Sequence, residues 1–274
     1  MKIVWIILAV LAFLGLILWI GTKIEFSPFK AFPKTSGEIK TVPLPAAGLP
    51  APVERFYRTL YGDQIPVIES VVVTGRATLR PMPIPLSFPG RFRFSHIAGQ
   101  SYRHYIEMGL FGLPIFKVNE RYVDGKSLFN IPGIGSVDNE PKTNQGANLG
   151  MWSESIWFPA IFLTDPRVSW QPVDDVTALL IVPFEDSRET YVVRFDPKTS
   201  LITYFESMRY HSAESTEKTL WINENRAWTE IDGQKILQSG AAIWMDDGKP
   251  WAVFTVEDIV YNVDLKEYIL QQGE

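Results

Sequence analysis

Hydrophobic positions fall along this chain in three patterns. The first is an unbroken apolar run from Ile3 to Gly21, IVWIILAVLAFLGLILWIG, bracketed by Lys2 and Lys23. With Thr22 it makes about twenty residues, which at 1.5 Å rise per residue spans roughly 30 Å of hydrocarbon. Trp5 and Trp19 stand near its ends, where an indole ring suits the bilayer interface. The run closes ILWIGTKIEF, bulky and then charged, without the small-residue cleavage pattern of a removable signal peptide. It predicts a retained single transmembrane anchor over residues 1–24. Lys2 on one side and Lys23, Lys30, Lys34 and Lys40 on the other leave the positive-inside rule undecided. The two-residue tail before the span favours a cell-membrane protein with its domain on the extracytoplasmic side.

The second pattern is the absence of one. From Phe26 to Pro52 the chain carries Pro28, Pro33, Pro43, Pro45, Pro50 and Pro52, with neither helical nor alternating periodicity. Proline fixes φ and cannot donate to a strand ladder, so residues 25–48 read as an extended, semi-rigid stalk. Phe26, Phe29 and Phe32 leave a second option, in which this segment lies along the membrane interface.

Beyond residue 49 the dominant pattern is alternation, read as one β-rich domain over residues 49–274. A short amphipathic helix opens it at Pro52 to Gly62, with Val53, Phe56 and Leu60 at helical spacing and Gly62 as a stop. IESVVVTGRATLR (68–80), RFRFSHIA (91–98) and SYRHYIEMGLF (101–111) then read as strands. Pro81, Pro83 and Pro85 end the first, and Gly99 and Gln100 turn the second into the third. Asp124–Gly125, Asp232–Gly233 and Asp247–Gly248 are tight-turn pairs, since both central positions tolerate positive φ. Six further strand-like segments follow from Thr177 to Val263, joined by connections too short for crossover helices.

One stretch breaks the alternation. Asn144 to Thr164 places Leu149, Trp152, Ile156 and Ala160 at intervals of three or four, which is helical, and Pro159 should break that helix near Trp157. The predicted fold is mainly β with α. A large curved antiparallel sheet of about ten or eleven strands, half-barrel-like, packs on a central helix behind a transmembrane helix.

Charge and composition narrow the function. The formal charge is −5, and leaving out Lys2 and Lys23 gives 24 basic against 31 acidic residues, which disfavours a nucleic-acid partner. There is no cysteine, so thiol catalysis and disulfides are excluded. GIGSV at 133–137 lacks the second glycine of a serine nucleophile elbow, and no phosphate-cradling or dinucleotide glycine motif occurs. No catalytic residue and no cofactor is assigned. His96 and His104 fall on adjacent predicted strands, but no HxxxH or HExxH spacing accompanies them. They read as histidines on partly exposed strand faces, with no metal site.

The most suggestive cluster is Trp152, Glu154 and Trp157 in the central helix, with Phe162 behind it and SWQPVDD (Trp170, Asp174, Asp175) following. In one reading Glu154 stands in a tryptophan-lined cavity, where desolvation raises a carboxyl pKa and makes an acid or a polar anchor. In the plainer one, Trp152 and Trp157 are core, Glu154 pairs with an arginine such as Arg194, and Asp174 shapes a turn.

LPAPVERFYRTL, NERYVDGKSLFNI, MWSESIWFPAIFL and SWQPVDDVTALL together resemble the successive blocks of an uncharacterised family of bacterial, single-span, membrane-anchored proteins. The resemblance covers about residues 49–270. That domain is in turn distantly similar to the periplasmic lipoprotein-carrier (LolA-like) superfamily. The carrier likeness implies a half-open barrel whose concave apolar face accepts acyl chains, while the anchor argues against shuttling. The resulting expectation is a membrane-tethered, non-enzymatic binding domain for a lipid or other apolar small molecule, its cavity walled by Trp152, Glu154, Trp157, Phe162 and Trp170. The alternatives are an assembly protein of a membrane complex, or a hydrolase using Glu154 with Asp174 or Asp175.

Overall fold

In the computed structural model, residues 2–34, 38–81, 85–231 and 233–273 are described; Pro83 and Asp232, named above, fall outside them. The helical elements are α1 (Lys2–Gly21), α2 (Ala51–Tyr61), α3 (Pro141–Glu154) and α4 (Ile161–Thr164). The first strands are β1 (Thr41–Pro43), β2 (Gln64–Pro66), β3 (Ser70–Leu79), β4 (Phe88–Ile97), β5 (Ser101–Leu110), β6 (Leu113–Val123), β7 (Lys126–Ile131) and β8 (Gly135–Asp138). After the helices come β9 (Ser169–Asp174), β10 (Thr177–Phe184), β11 (Ser187–Phe195), β12 (Ile202–Arg209), β13 (Thr219–Ile231), β14 (Gln234–Trp244) and β15 (Pro250–Tyr261).

Two antiparallel meanders make one curved, unclosed sheet of thirteen strands, in the order β8-β7-β6-β5-β4-β3-β15-β14-β13-β12-β11-β10-β9. They meet where β3 pairs with β15, and every other neighbour follows in sequence. Two more strands than expected arise at the two edges. β8 has only four residues, starting at Gly135, and β9 contains Pro172, so neither shows the uninterrupted β pattern of a central strand. Asp124 and Gly125 turn the β6–β7 hairpin with φ of 51° and 77°, as their pairing requires.

The chain from β8 to β9 carries α3, a 3₁₀ turn at Ser155–Trp157, and α4, and it touches both meanders inside the curl. Glu140 caps α3 by accepting hydrogen bonds from the amides of Lys142 (2.9 Å) and Thr143 (3.1 Å). The helix breaks at the expected place, since Pro159 has no amide to donate and Phe158 leaves the helical region at φ −143°. The Tyr57 hydroxyl of α2 donates to the Pro159 carbonyl at 2.8 Å, tying the break to the first helix of the domain.

α1 is long and apolar enough to cross a membrane, and none of its residues from Ile3 to Ile20 is buried. Its end touches the sheet: the Phe111 amide in the β5–β6 turn donates to the Gly21 carbonyl at 2.9 Å. The Phe111 ring lies so close that a Cβ at Gly21 would come within 2.7 Å of it.

Residues 25–34, read above as part of an extended, semi-rigid stalk, lie along the outer face of β4 and β5, with Phe26 and Phe29 buried. The cause is the RFRF alternation. Phe92 and Phe94 point inward, while the outward Arg91 and Arg93 guanidiniums stand over the Phe29 ring at 4.1 and 5.0 Å. These arginines also donate to the carbonyls of Ser27 (2.9 Å) and Lys30 (2.7 Å). The second half of the segment is held too, through Leu44 in the core and β1 paired with β2.

Strand register fixes which turns share an end of the sheet. Leu79 pairs with Phe88 and with Ala252, Leu110 with Leu113, and Arg209 with Thr219. The β3–β4, β5–β6, β12–β13 and β14–β15 connections therefore lie together, at the end where α1 joins.

Candidate functional site

Alternation along β4, β5 and β6 turns one set of side chains toward α3: Phe92, Phe94 and His96; Tyr102, His104 and Ile106; Phe116, Val118 and Glu120. In the ladder His96 faces Tyr102, and His104 stands between Phe94 on one side and Glu120 on the other. Glu154 arrives from the last turn of α3, where the chain tightens into the 3₁₀ turn.

These residues form a compact charged cluster. His104 Nε2 lies 2.7 Å from Glu154 Oε2, and His96 Nε2 lies 3.1 Å from the same oxygen. On its other side His104 places Nδ1 3.5 Å from Glu120 Oε2, while the Tyr102 hydroxyl donates to Glu120 Oε1 at 2.5 Å. Burial alone would lower the His104 pKa, but the carboxylates of Glu154 and Glu120 push it up to about 9. Burial alone would raise that of Glu154, and the two histidines hold it down at about 2. Glu120 is lowered by the same contest, burial against hydrogen bonds and charge from His104. His96 is shifted the other way, downward, because its complete burial outweighs Glu154. The arrangement is a histidine clamped between two carboxylates beside a second, fully buried histidine.

The cluster edges a chamber of about 100 Å³ between the two halves of the sheet, whose apolar walls include Phe94, Trp157, Trp221, Trp251 and Phe254. Beside it lies a vestibule of about 420 Å³, bounded by α3, Phe129 of β7, and the chain from Arg209 to Glu214. Chamber and vestibule share Glu120, Arg209 and Trp251 in their walls. The Arg209 guanidinium lies 4.5 Å over the Trp221 ring and 5.6 Å from that of Trp244. Gly150 of α3 faces the chamber, and a Cβ there would meet no atom within 4 Å. A wider depression of about 1150 Å³ lies at the opposite end of the sheet, among loop residues such as Gln100, Pro166 and Lys266, away from the cluster.

Of the residues singled out by sequence, Glu154 and Trp157 line the chamber. Trp152, Phe162 and Trp170 pack on one another instead, with ring centroids 6.4 and 6.2 Å apart, in the core shared with Phe205 and Phe195. Glu154 pairs with histidines and not with Arg194, whose Nε donates to Glu206 at 2.5 Å on the outer surface. Asp174 turns β9 into β10 by accepting from the Val176 amide at 2.9 Å, and the Asp175 carbonyl accepts from Arg55. His96 and His104 are 0% and 4% exposed, so the reading of partly exposed histidines is corrected: α3 covers the face they occupy. Glu120, Tyr102 and Arg209 were not singled out; the shared inward phase of His104 and Glu120 was the available signal.

Solved structures of low sequence identity resemble this chain in part. A LolA superfamily protein from Nitrosomonas europaea superposes with a TM-score of 0.46 and 11% identity, over 82% of this chain and 99% of that one. A DUF1329 family protein from Desulfovibrio piger does so with a TM-score of 0.42 and 12% identity, over 75% and 90%. No curated protein matches this sequence. Residues 41–256 match the model of a family of unknown function, DUF6544, and the chain belongs to that family.

Proposed function

We propose that this protein is a membrane-tethered, non-enzymatic binding protein that takes an apolar ligand, a lipid or acyl chain, from the bilayer surface into the chamber and vestibule inside its sheet. The observation that carries the reading is the adjacency of the two spaces, which share Glu120, Arg209 and Trp251 in their walls, at the end of the sheet where α1 joins. The vestibule alone is within the size range of small-molecule sites, roughly 300–1,000 Å³. Its walls combine apolar groups such as Phe129, Val137, Trp244 and Trp251 with polar ones, Arg80, Glu120, Arg209, His211 and Glu214 among them, which would orient a headgroup.

The surroundings support entry from the membrane. Leu86, Phe111, Leu113, Ile115, Ile134 and Met245 are exposed apolar side chains at the α1 end, Leu113 and Ile134 by about two-thirds (67% and 66%). Side chains of this kind around a site mouth are suited to contact lipid. With residues 25–34 laid on the sheet and Phe111 against Gly21, a membrane-spanning α1 would set that rim against the headgroups. The domain would then work on the membrane surface, on the extracytoplasmic side.

A photoactivatable fatty acid incorporated into membranes carrying the full-length chain tests this. Labelled peptides are expected from the chamber and vestibule, around Trp157, Arg209, Trp221 and Trp251. Labels confined to residues 2–24 would contradict the proposal. Protease added outside intact spheroplasts should digest the domain, and survival until lysis would overturn the orientation.

A further inference from the structure

His96, His104 and Glu154 come from three different elements, β4, β5 and α3, and each brings a ligating atom into one cluster. The three atoms all lie within 4.8 Å of one another. Two imidazoles and a carboxylate, with Nε2 of His104 and of His96 at 2.7 and 3.1 Å from the same oxygen, are a donor set suited to a first-row divalent ion such as zinc. We propose that this cluster is a mononuclear site for such an ion, with His96 Nε2, His104 Nε2 and a Glu154 oxygen as the protein ligands.

Three further features fit. The first is the second shell of His104. Its Nδ1 faces Glu120 Oε2 at 3.5 Å, and Tyr102 holds that carboxylate by its other oxygen at 2.5 Å. A carboxylate behind a histidine fixes the ring so that Nε2 is the free donor atom, as it does behind metal-bound histidines. The second is His96, which is completely buried and whose two ring nitrogens make no hydrogen bond. Its Nε2 lies 3.1 Å from Glu154 without the alignment of a hydrogen bond. A buried imidazole with both nitrogens unpaired is costly, and coordination would satisfy Nε2. The third is room. His104 and Glu154 open on the 100 Å³ chamber, which can hold a water in the fourth position, since a water occupies roughly 30 Å³ of liquid. Three protein ligands with one open position is the pattern of sites where zinc stays accessible to a small molecule. Bonds of about 2.0–2.1 Å separate tetrahedral ligands by roughly 3.3 Å. Glu154, at 2.7 Å from His104, would therefore draw back by about half an ångström, a side-chain adjustment.

This inference is independent of the lipid reading, because the site needs only the three side chains and a water. The test uses the full-length chain purified in detergent without a polyhistidine tag, stripped with a chelator and dialysed against zinc or cobalt(II). One equivalent of metal per chain is expected, with a rise in Tm on zinc addition, and with cobalt(II) visible bands of low-coordinate geometry. His96→Gln and Glu154→Gln should each lower retained metal at least tenfold, while His211→Gln, at a histidine outside the cluster, should retain it fully. X-ray absorption of the zinc-loaded wild type needs no variant and should show two imidazoles. Sub-stoichiometric metal, equal retention in His96→Gln, or a shell of oxygens alone would overturn the assignment and leave the cluster as an ion-pair network only.

Discussion

The Arg91 guanidinium lies 4.1 Å over the Phe29 ring. The same arginine holds Glu107, 3% exposed, through Nε at 2.8 Å, and Tyr105 donates to the other oxygen of that carboxylate at 2.7 Å. This network fastens the chain leaving α1 to the outer face of the sheet, so the position of α1 relative to the domain is set by packing and not by the length of a free linker.

Arg91→Ala should therefore do more than remove a surface charge. It leaves a buried carboxylate short of its main partner, a loss on the order of 3 kcal/mol, and it frees residues 25–34. Limited proteolysis of the full-length chain is expected to cut that segment much faster in Arg91→Ala and in Phe29→Ala than in wild type. Equal cleavage rates would mean that the segment is free already.

Tyr57→Phe isolates the hydrogen bond to Pro159. The ring stays in place and the carbonyl keeps the Phe162 amide, 3.1 Å away, as a donor, so denaturant unfolding should show a loss of about 1 kcal/mol. Trp152→Ala empties a fully buried site and should cost about 3–5 kcal/mol, more than the same change at the chamber-lining Trp157.

Gly150 lines the chamber. In Gly150→Ala the helix gains a better former where the new methyl meets nothing, and thermal unfolding should show stability unchanged or raised by up to about 1 kcal/mol. Gly150→Leu should fold as well and fill the chamber. A loss of several kcal/mol in either variant would show that no open space exists there.

Acid stability depends in part on Asp165, whose carboxylate accepts from the Arg167 amide at 2.9 Å and from the Arg167 guanidinium. Burial alone would raise its pKa, but Arg167 holds it below the ordinary value of 3.8. A depressed folded pKa contributes stability that is complete above the unfolded value and is lost as pH falls through the folded one. Wild type should thus exceed Asp165→Asn in stability at pH 6, with the gap closing as the pH drops below about 3.8. A gap independent of pH would remove charge from the account.

Most of the scaffold was legible in the sequence because it rests on local signals. Alternation named the strands, Asp124–Gly125 named a turn, and the spacing of Leu149, Trp152 and Ile156 with Pro159 named a broken helix. The edge strands β8 and β9 were not legible, since Gly135 and Pro172 interrupt the pattern where pairing on one side only is required. The site was half legible. Glu154 and Trp157 stood out by composition, but the partners of Glu154 lie fifty or more residues away on β4 and β5, and only tertiary packing brings them to it. Residues 25–34 read as a stalk because prolines report what a segment cannot form, not what it lies against.

Native mass spectrometry of the full-length chain released from lipid nanodiscs tests the central claim most directly, with wild type and Gly150→Leu side by side. The account predicts one apolar molecule retained per wild-type chain after detergent and annular lipid are stripped, and none on Gly150→Leu. Bare wild-type protein, or the same adduct on both, would contradict a ligand in the chamber.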